Sequence, residues 1–248
     1  MAGIKQLIAT CALIIFSSTT YAQITSGRIV YERRVNLLSM YKDNDRVKRF
    51  LKDDMKPKVE QFELLFNDTL SAFTPIESGE VEQGFMKFLT THNKIYNNTA
   101  KNQKTAVLDM WGTETIVQDS LSHRTWKMMG SKREIAGFLC HKAMWEMNDT
   151  TRIYAWFCAE VVPSVGPEGF NGLPGTILGL ATENGSMVYF AKEVKAMSPP
   201  MAKLEYAGKT KDVYTVEALK AQLLEKMGQW VKKDDLEGNK KQKRIRKE

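Results

Sequence analysis

The chain has little of what enzymes are usually recognised by. Its three histidines, His92, His123 and His141, stand at spacings that match no metal template, so no metal ligand is assigned. The sequence contains no His-Glu-x-x-His helix, no Gly-x-Ser-x-Gly elbow, no Cys-x-x-Cys pair and no Gly-x-x-x-x-Gly-Lys phosphate loop. No catalytic residue and no cofactor therefore follow from motif. Of three cysteines, Cys11 lies in an N-terminal apolar run; the remaining two are too few for a disulfide-stapled scaffold. No apolar run reaches the ~20 residues that span a bilayer, and no internal period marks a solenoid or propeller.

What is present begins with an export signal. Lys5 precedes an apolar run from Leu7 to Phe16 and a small, polar stretch from Ser17 to Ala22, the layout of a cleavable signal peptide. Thr20 and Ala22 supply the small side chains before a cut at Gln23. The expectation is a signal peptide over 1–22 and a mature chain, free of transmembrane segments, in the periplasm or outside the cell. The net charge is +7, yet eight Lys or Arg against four Asp or Glu fall between Lys232 and Glu248. Residues 233–248 thus read as a basic, disordered tail. The nearly neutral body gives no reason to expect specific nucleic-acid binding.

Between these ends the two-residue period of half-buried strands recurs. Ile29, Tyr31 and Val35 alternate with Glu32 and Arg34; Phe62, Leu64 and Phe66 alternate again before a turn at Asn67-Asp68 and a strand over 70–73. Asn44 to Met55 reads as a short, charged helix ended by Lys56-Pro57, and 97–104 as a polar, exposed stretch. Further strands are expected at 114–117, 125–128, 135–147 and 152–161. The strands 177–182 and 186–194 flank Glu183-Asn184-Gly185, a strong hairpin signal. A last amphipathic helix is expected from Val216 to about Lys232, with Thr215 as N-cap and Leu219, Leu223, Met227 and Trp230 on one face. The fold class predicted is mainly β (α+β): one domain over 23–232, a curved antiparallel sheet or half-open barrel with one or two helices, including the C-terminal one.

Ile135 to Ala143, Ala155-Trp156-Phe157, Val165-Gly166-Pro167 and Gly172-Leu173-Pro174-Gly175-Thr176-Ile177-Leu178 together resemble the GLPGLI family of exported bacterial proteins. The resemblance implies an envelope protein of uncharacterised activity. Thr176 stands where the name-giving motif has Leu, and Cys158-Ala159 where the family has a hydroxyl residue and then Pro.

The candidate binding residues are Gly172, Leu173, Pro174 and Gly175, with Trp156 and Glu160 on the preceding strand. Gly and Pro make the loop rigid, with Leu173 as an apolar plug; these residues read first as a demanding turn into the next strand, and alternatively as a loop that closes over a ligand or docks on a partner. Two functions follow. One is a binding or envelope-assembly module for an apolar ligand or protein partner. The other is a hydrolase acting on an envelope polymer through carboxylates such as Glu160, which needs a second acid within about 5 to 10 Å. Cys140 and Cys158 are a disulfide candidate if their hairpin turns through a three-residue loop at 148–150, which sets them opposite each other. A two-residue loop sends them to opposite faces, and two buried thiols are the other outcome.

Overall fold

The computed structural model describes residues 23–77, 79, 89–110, 113–208 and 212–225; the proposed signal peptide, Met227, Trp230 and the basic tail lie outside them. Among the described residues, twelve strands form one open sheet in the order β12-β6-β5-β4-β3-β2-β1-β11-β10-β9-β8-β7. They are β1 (Gly27–Val35), β2 (Lys58–Phe66), β3 (Leu70–Pro75), β4 (Lys94–Asn98), β5 (Gln103–Met110), β6 (Thr113–Ser120), β7 (Lys127–Ile135), β8 (Phe138–Asn148), β9 (Thr151–Cys158), β10 (Thr176–Thr182), β11 (Met187–Ala196) and β12 (Val213–Tyr214). The mainly β, open-sheet reading holds. Two meanders, β1 to β6 and β7 to β11, are joined by one long-range pairing, β1 against β11, and only β12 runs parallel to its neighbour.

Directly opposite residues share a face, so the registers sort the side chains. Ile29, Tyr31, Phe62, Leu64, Phe66, Phe73, Ile95, Ala155, Phe157, Ile177, Leu180 and Tyr189 belong to one continuous apolar core on what is here the inner face. The outer face carries Glu32, Arg34, Trp156, Gly179, Val188 and Phe190. The late helix is present over 216–225. Thr215 Oγ1 accepts from the Ala218 N–H at 3.1 Å as its cap, and Leu219 and Leu223 pack on the core.

Three expectations change. The charged helix shrinks to one turn, Asp45–Lys48, capped by Asn44. The polar stretch 97–104 is the β4–β5 hairpin, with Asn97 buried because the register turns it inward. The strand expected over 135–147 is broken at Ala136 and Gly137, both at positive φ; that two-residue turn separates β7 from β8, a conformation an alanine rarely adopts.

Candidate functional site

The segment between β9 and β10 is held by its backbone. Thr176 N–H donates to the Val161 carbonyl and Ile177 N–H to the Val165 carbonyl, both at 2.8 Å, while Gly172 N–H donates to Ser164 Oγ at 2.8 Å. Leu173 is 2% exposed and sits in the main core, so it is the plug expected of it. Pro174 is exposed. Thr176 is fully buried, and its hydroxyl donates to the Pro163 carbonyl at 2.6 Å. This bond is an internal staple that no apolar side chain makes.

The same segment delivers Glu168 to the inner face. Glu168 lies in a turn over Pro167–Gly169 at φ 54, where a non-glycine residue is strained. It accepts from the Tyr189 hydroxyl at 2.5 Å and lies 3.9 Å from Arg33. Arg33, its side chain 2% exposed, also donates through Nε (2.9 Å) and Nη2 (2.5 Å) to Glu60 and through Nη1 to the Thr91 carbonyl at 2.8 Å. Glu60 in addition takes Lys58 at 2.9 Å and His92 at 2.6 Å. Burial alone would raise the Glu60 pKa; the His92 hydrogen bond, the Arg33 charge and the Lys58 bond outweigh it and hold the carboxyl well below the usual range. Burial wins at Glu168, whose pKa is raised despite the Tyr189 bond and the nearby cations. Sequence reading missed this network; its signal was Arg33, which follows the inward-facing Tyr31 by the two-residue period.

Trp156 points to the outer face. Its ring is 5.6 Å from that of Phe190; Arg133 lies 4.5 Å above the Phe190 ring and 6.0 Å from Trp156, and Lys142 is 4.1 Å from Tyr154. Neither Arg133 nor Lys142 meets a carboxylate among the described residues. Beside this strip a cleft of about 580 Å³ is lined by Glu32, Arg34, Arg133, Glu134, Phe190 and Lys192, among others. Trp156 and the 172–175 loop are therefore not brought together: they serve different faces. Glu160 stands in the turn after β9, where its carbonyl accepts from Ile24 N–H, and its charge bears on the two thiols.

The β8–β9 pairs from His141↔Phe157 to Glu146↔Arg152 keep the register that one further step extends to Cys140 and Cys158. Both are nevertheless buried free thiols in this structure. Cys140 Sγ donates to the Phe138 carbonyl at 3.5 Å, and burial, then the neighbouring Cys158, push its pKa up to about 12. A thiol so rarely ionised reacts slowly. In the chain beginning at Gln23, thiol titration without reductant is expected to find none in the folded protein and two after unfolding. Thiols recovered only after reduction would instead establish the cross-strand bond.

A family model described as a protein of unknown function (Porph_ging) matches residues 144–179, the stretch from mid-β8 into β10. No curated protein matches the chain. Two structures of PNGF-II, in two space groups, superpose with TM-scores of 0.52 and 0.54 at 15% and 14% identity, each over 79% of this chain and 32% of that one. An uncharacterized conserved protein from Thermus thermophilus aligns at 0.41 and 9% identity, over 83% of this chain and 99% of its own. This chain spans about a third of PNGF-II, and at such identity the likeness is one of fold.

Proposed function

We propose that this is an exported binding or envelope-assembly module of the GLPGLI type, which holds an extended segment of a protein partner on the outer face beside β7. The observation that carries the reading is Arg133, stacked on Phe190 beside Trp156 with no carboxylate partner among the described residues, at the wall of the outer cleft. Aromatic and arginine side chains in such a setting are the residues from which interfaces draw most of their energy. Among the described residues β7 lies at the end of the sheet with one side unpaired, and an open edge of this kind can take an added strand. The mixed charge of the cleft favours a polypeptide over a wholly apolar ligand.

Purification from the native envelope under mild conditions tests this. The wild type is expected to carry a stoichiometric partner segment, and Arg133→Glu and Trp156→Ala to reduce its retention at least about tenfold. A partner-free wild-type monomer would sink the proposal, and a lipid recovered in its place would return the site to an apolar ligand.

The hydrolase reading finds its better pair in Glu60 and Glu168, two carboxylates set on one guanidinium with environments that drive their pKa values apart. Release of reducing ends from cell-wall polysaccharide, abolished in Glu168→Gln, would establish it; no release by the wild type would end it.

A further inference from the structure

On the inner face a second pair of cations stands apart from the Arg33 network. Arg124 comes from the connection between β6 and β7. Its guanidinium lies 4.4 Å from the Phe170 ring centroid and 5.3 Å from that of Trp145. One Nη1 bond reaches Asn171 Oδ1 at 3.4 Å, the long limit of a hydrogen bond, and its buried Nε has no hydrogen-bond partner among the described residues. A buried guanidinium donor left unpaired costs free energy that a ligand oxygen would recover.

Lys104 supplies the second charge. It lies opposite Asn97 on β4 and Asp119 on β6, hence on the inner face, and its Nζ passes 3.3 Å from where a side chain at Gly169 would begin. No carboxylate lies within ion-pair distance of it among the described residues. The acids that bear on this region are already engaged: Glu168 by Tyr189 and Arg33, Asp119 by the N–H groups of Ser120 and Val216. Burial lowers the pKa of both cations, and the Arg124 charge lowers that of Lys104 further. Asn97 Oδ1, opposite Lys104, is a second buried polar atom without a partner among the described residues. Trp126, whose Nε1 donates to the Asn171 carbonyl at 2.9 Å, borders the same loop.

From this arrangement we propose that Arg124 and Lys104 form an oxyanion-binding site, which takes a carboxylate or phosphate group on a molecule whose body rests against Trp126, Trp145 and Phe170. The two cations supply charge-assisted donors, and the aromatic residues supply an apolar seat and a guanidinium already held in place by stacking. The site stands on the face opposite the outer cleft and is independent of the partner proposed there.

Titration of the mature protein at constant ionic strength, followed by tryptophan fluorescence and calorimetry, tests it with three probes: inorganic phosphate, glucose 6-phosphate and glucuronate. Saturable binding of at least one is expected, tighter for a ring-bearing probe than for inorganic phosphate. Arg124→Gln and Lys104→Met are each expected to weaken it at least tenfold, and Arg152→Gln, in an exposed ion pair elsewhere, to leave it unchanged. Preference for the phosphate ester identifies a phosphorylated ligand, and preference for glucuronate a carboxylated one. Absence of saturable binding by the folded wild type, reproduction of the signal by chloride, or unchanged affinity in both variants would each overturn the site. Should Arg124→Gln fail to fold by circular dichroism, Lys104→Met alone decides.

Discussion

Replacing Arg33 by Ala is expected to destabilise the protein by about 3 kcal/mol or more, read as a lower urea midpoint at unchanged slope. The side chain is 2% exposed and is the group through which Glu60, Glu168, Tyr189 and the Thr91 carbonyl are joined. Its removal leaves Glu60 ionised in a largely buried position, with Lys58, His92 and a 3.3 Å hydrogen bond from the Thr90 hydroxyl among its remaining partners. The Arg28–Glu63 pair on the outer face makes the comparison, since its side chains are 30% and 21% exposed. Partly solvated pairs of that kind contribute at most about 1 kcal/mol, so Arg28→Ala should cost far less. Equal losses in the two variants would show that burial of the network is not what gives it weight.

The same network gives a direction to the pH dependence. The Glu60 carboxyl is held below its unfolded value, so the stability it contributes is complete above an unfolded pKa of about 4.3 and is lost as pH falls below it. Glu168 is raised and acts the other way: its protonated form suits the fold, and its ionisation costs stability as pH rises through the unfolded value. Acid unfolding of the wild type should therefore steepen below about pH 4, and Arg33→Ala should flatten that limb because Glu60 has lost part of what depresses it.

The second large effect is expected at Gly175. Its φ is +133, and a Cβ there would stand 2.7 Å from the Cys158 carbonyl carbon and 2.9 Å from Ala159 Cα, and would overlap the Cys158 oxygen. These are backbone atoms at the end of β9, where Cys158 pairs with Thr176, and they cannot swing aside as a side chain does. Gly175→Ala is expected to cost roughly 3 kcal/mol or more, from the forbidden dihedral and the overlap together. Gly172→Ala provides the measure: its φ is +91, but its Cβ would meet nothing closer than Trp126 Nε1 at 3.4 Å, so about 1 kcal/mol of dihedral strain is expected. Thermal unfolding of both variants decides. If Gly172→Ala were the worse of the two, close approach to β9 would not be the reason glycine stands at 175.

Much of the fold was legible because side-chain alternation is a local property. Tyr31 and Val35, Phe62 and Phe66, and the 183–185 turn are each placed by neighbours within a few residues. Where reading failed, strand pairing or turn geometry had overridden what composition suggests. Asn97 and Lys104 look like solvent-facing loop residues, yet both are turned inward by pairing in the β4–β5 hairpin. Ala136 continues an apolar run in composition and breaks it in conformation.

The candidate sites divide along the same line. Glycine and proline declare a rigid connection at 166–175 by their own stereochemistry, and local strand signals place the segments before and after it in β9 and β10. That Arg33 ties β1 to Glu60 on β2, that Glu168 crosses from that connection to Tyr189, and that Arg133 on β7 comes to rest on Phe190 of β11 were decided only by the tertiary structure. The reason is physical: alternation states which face of a strand a side chain takes, but a charge chooses its partner from whatever the closing of the β1–β11 seam brings within reach.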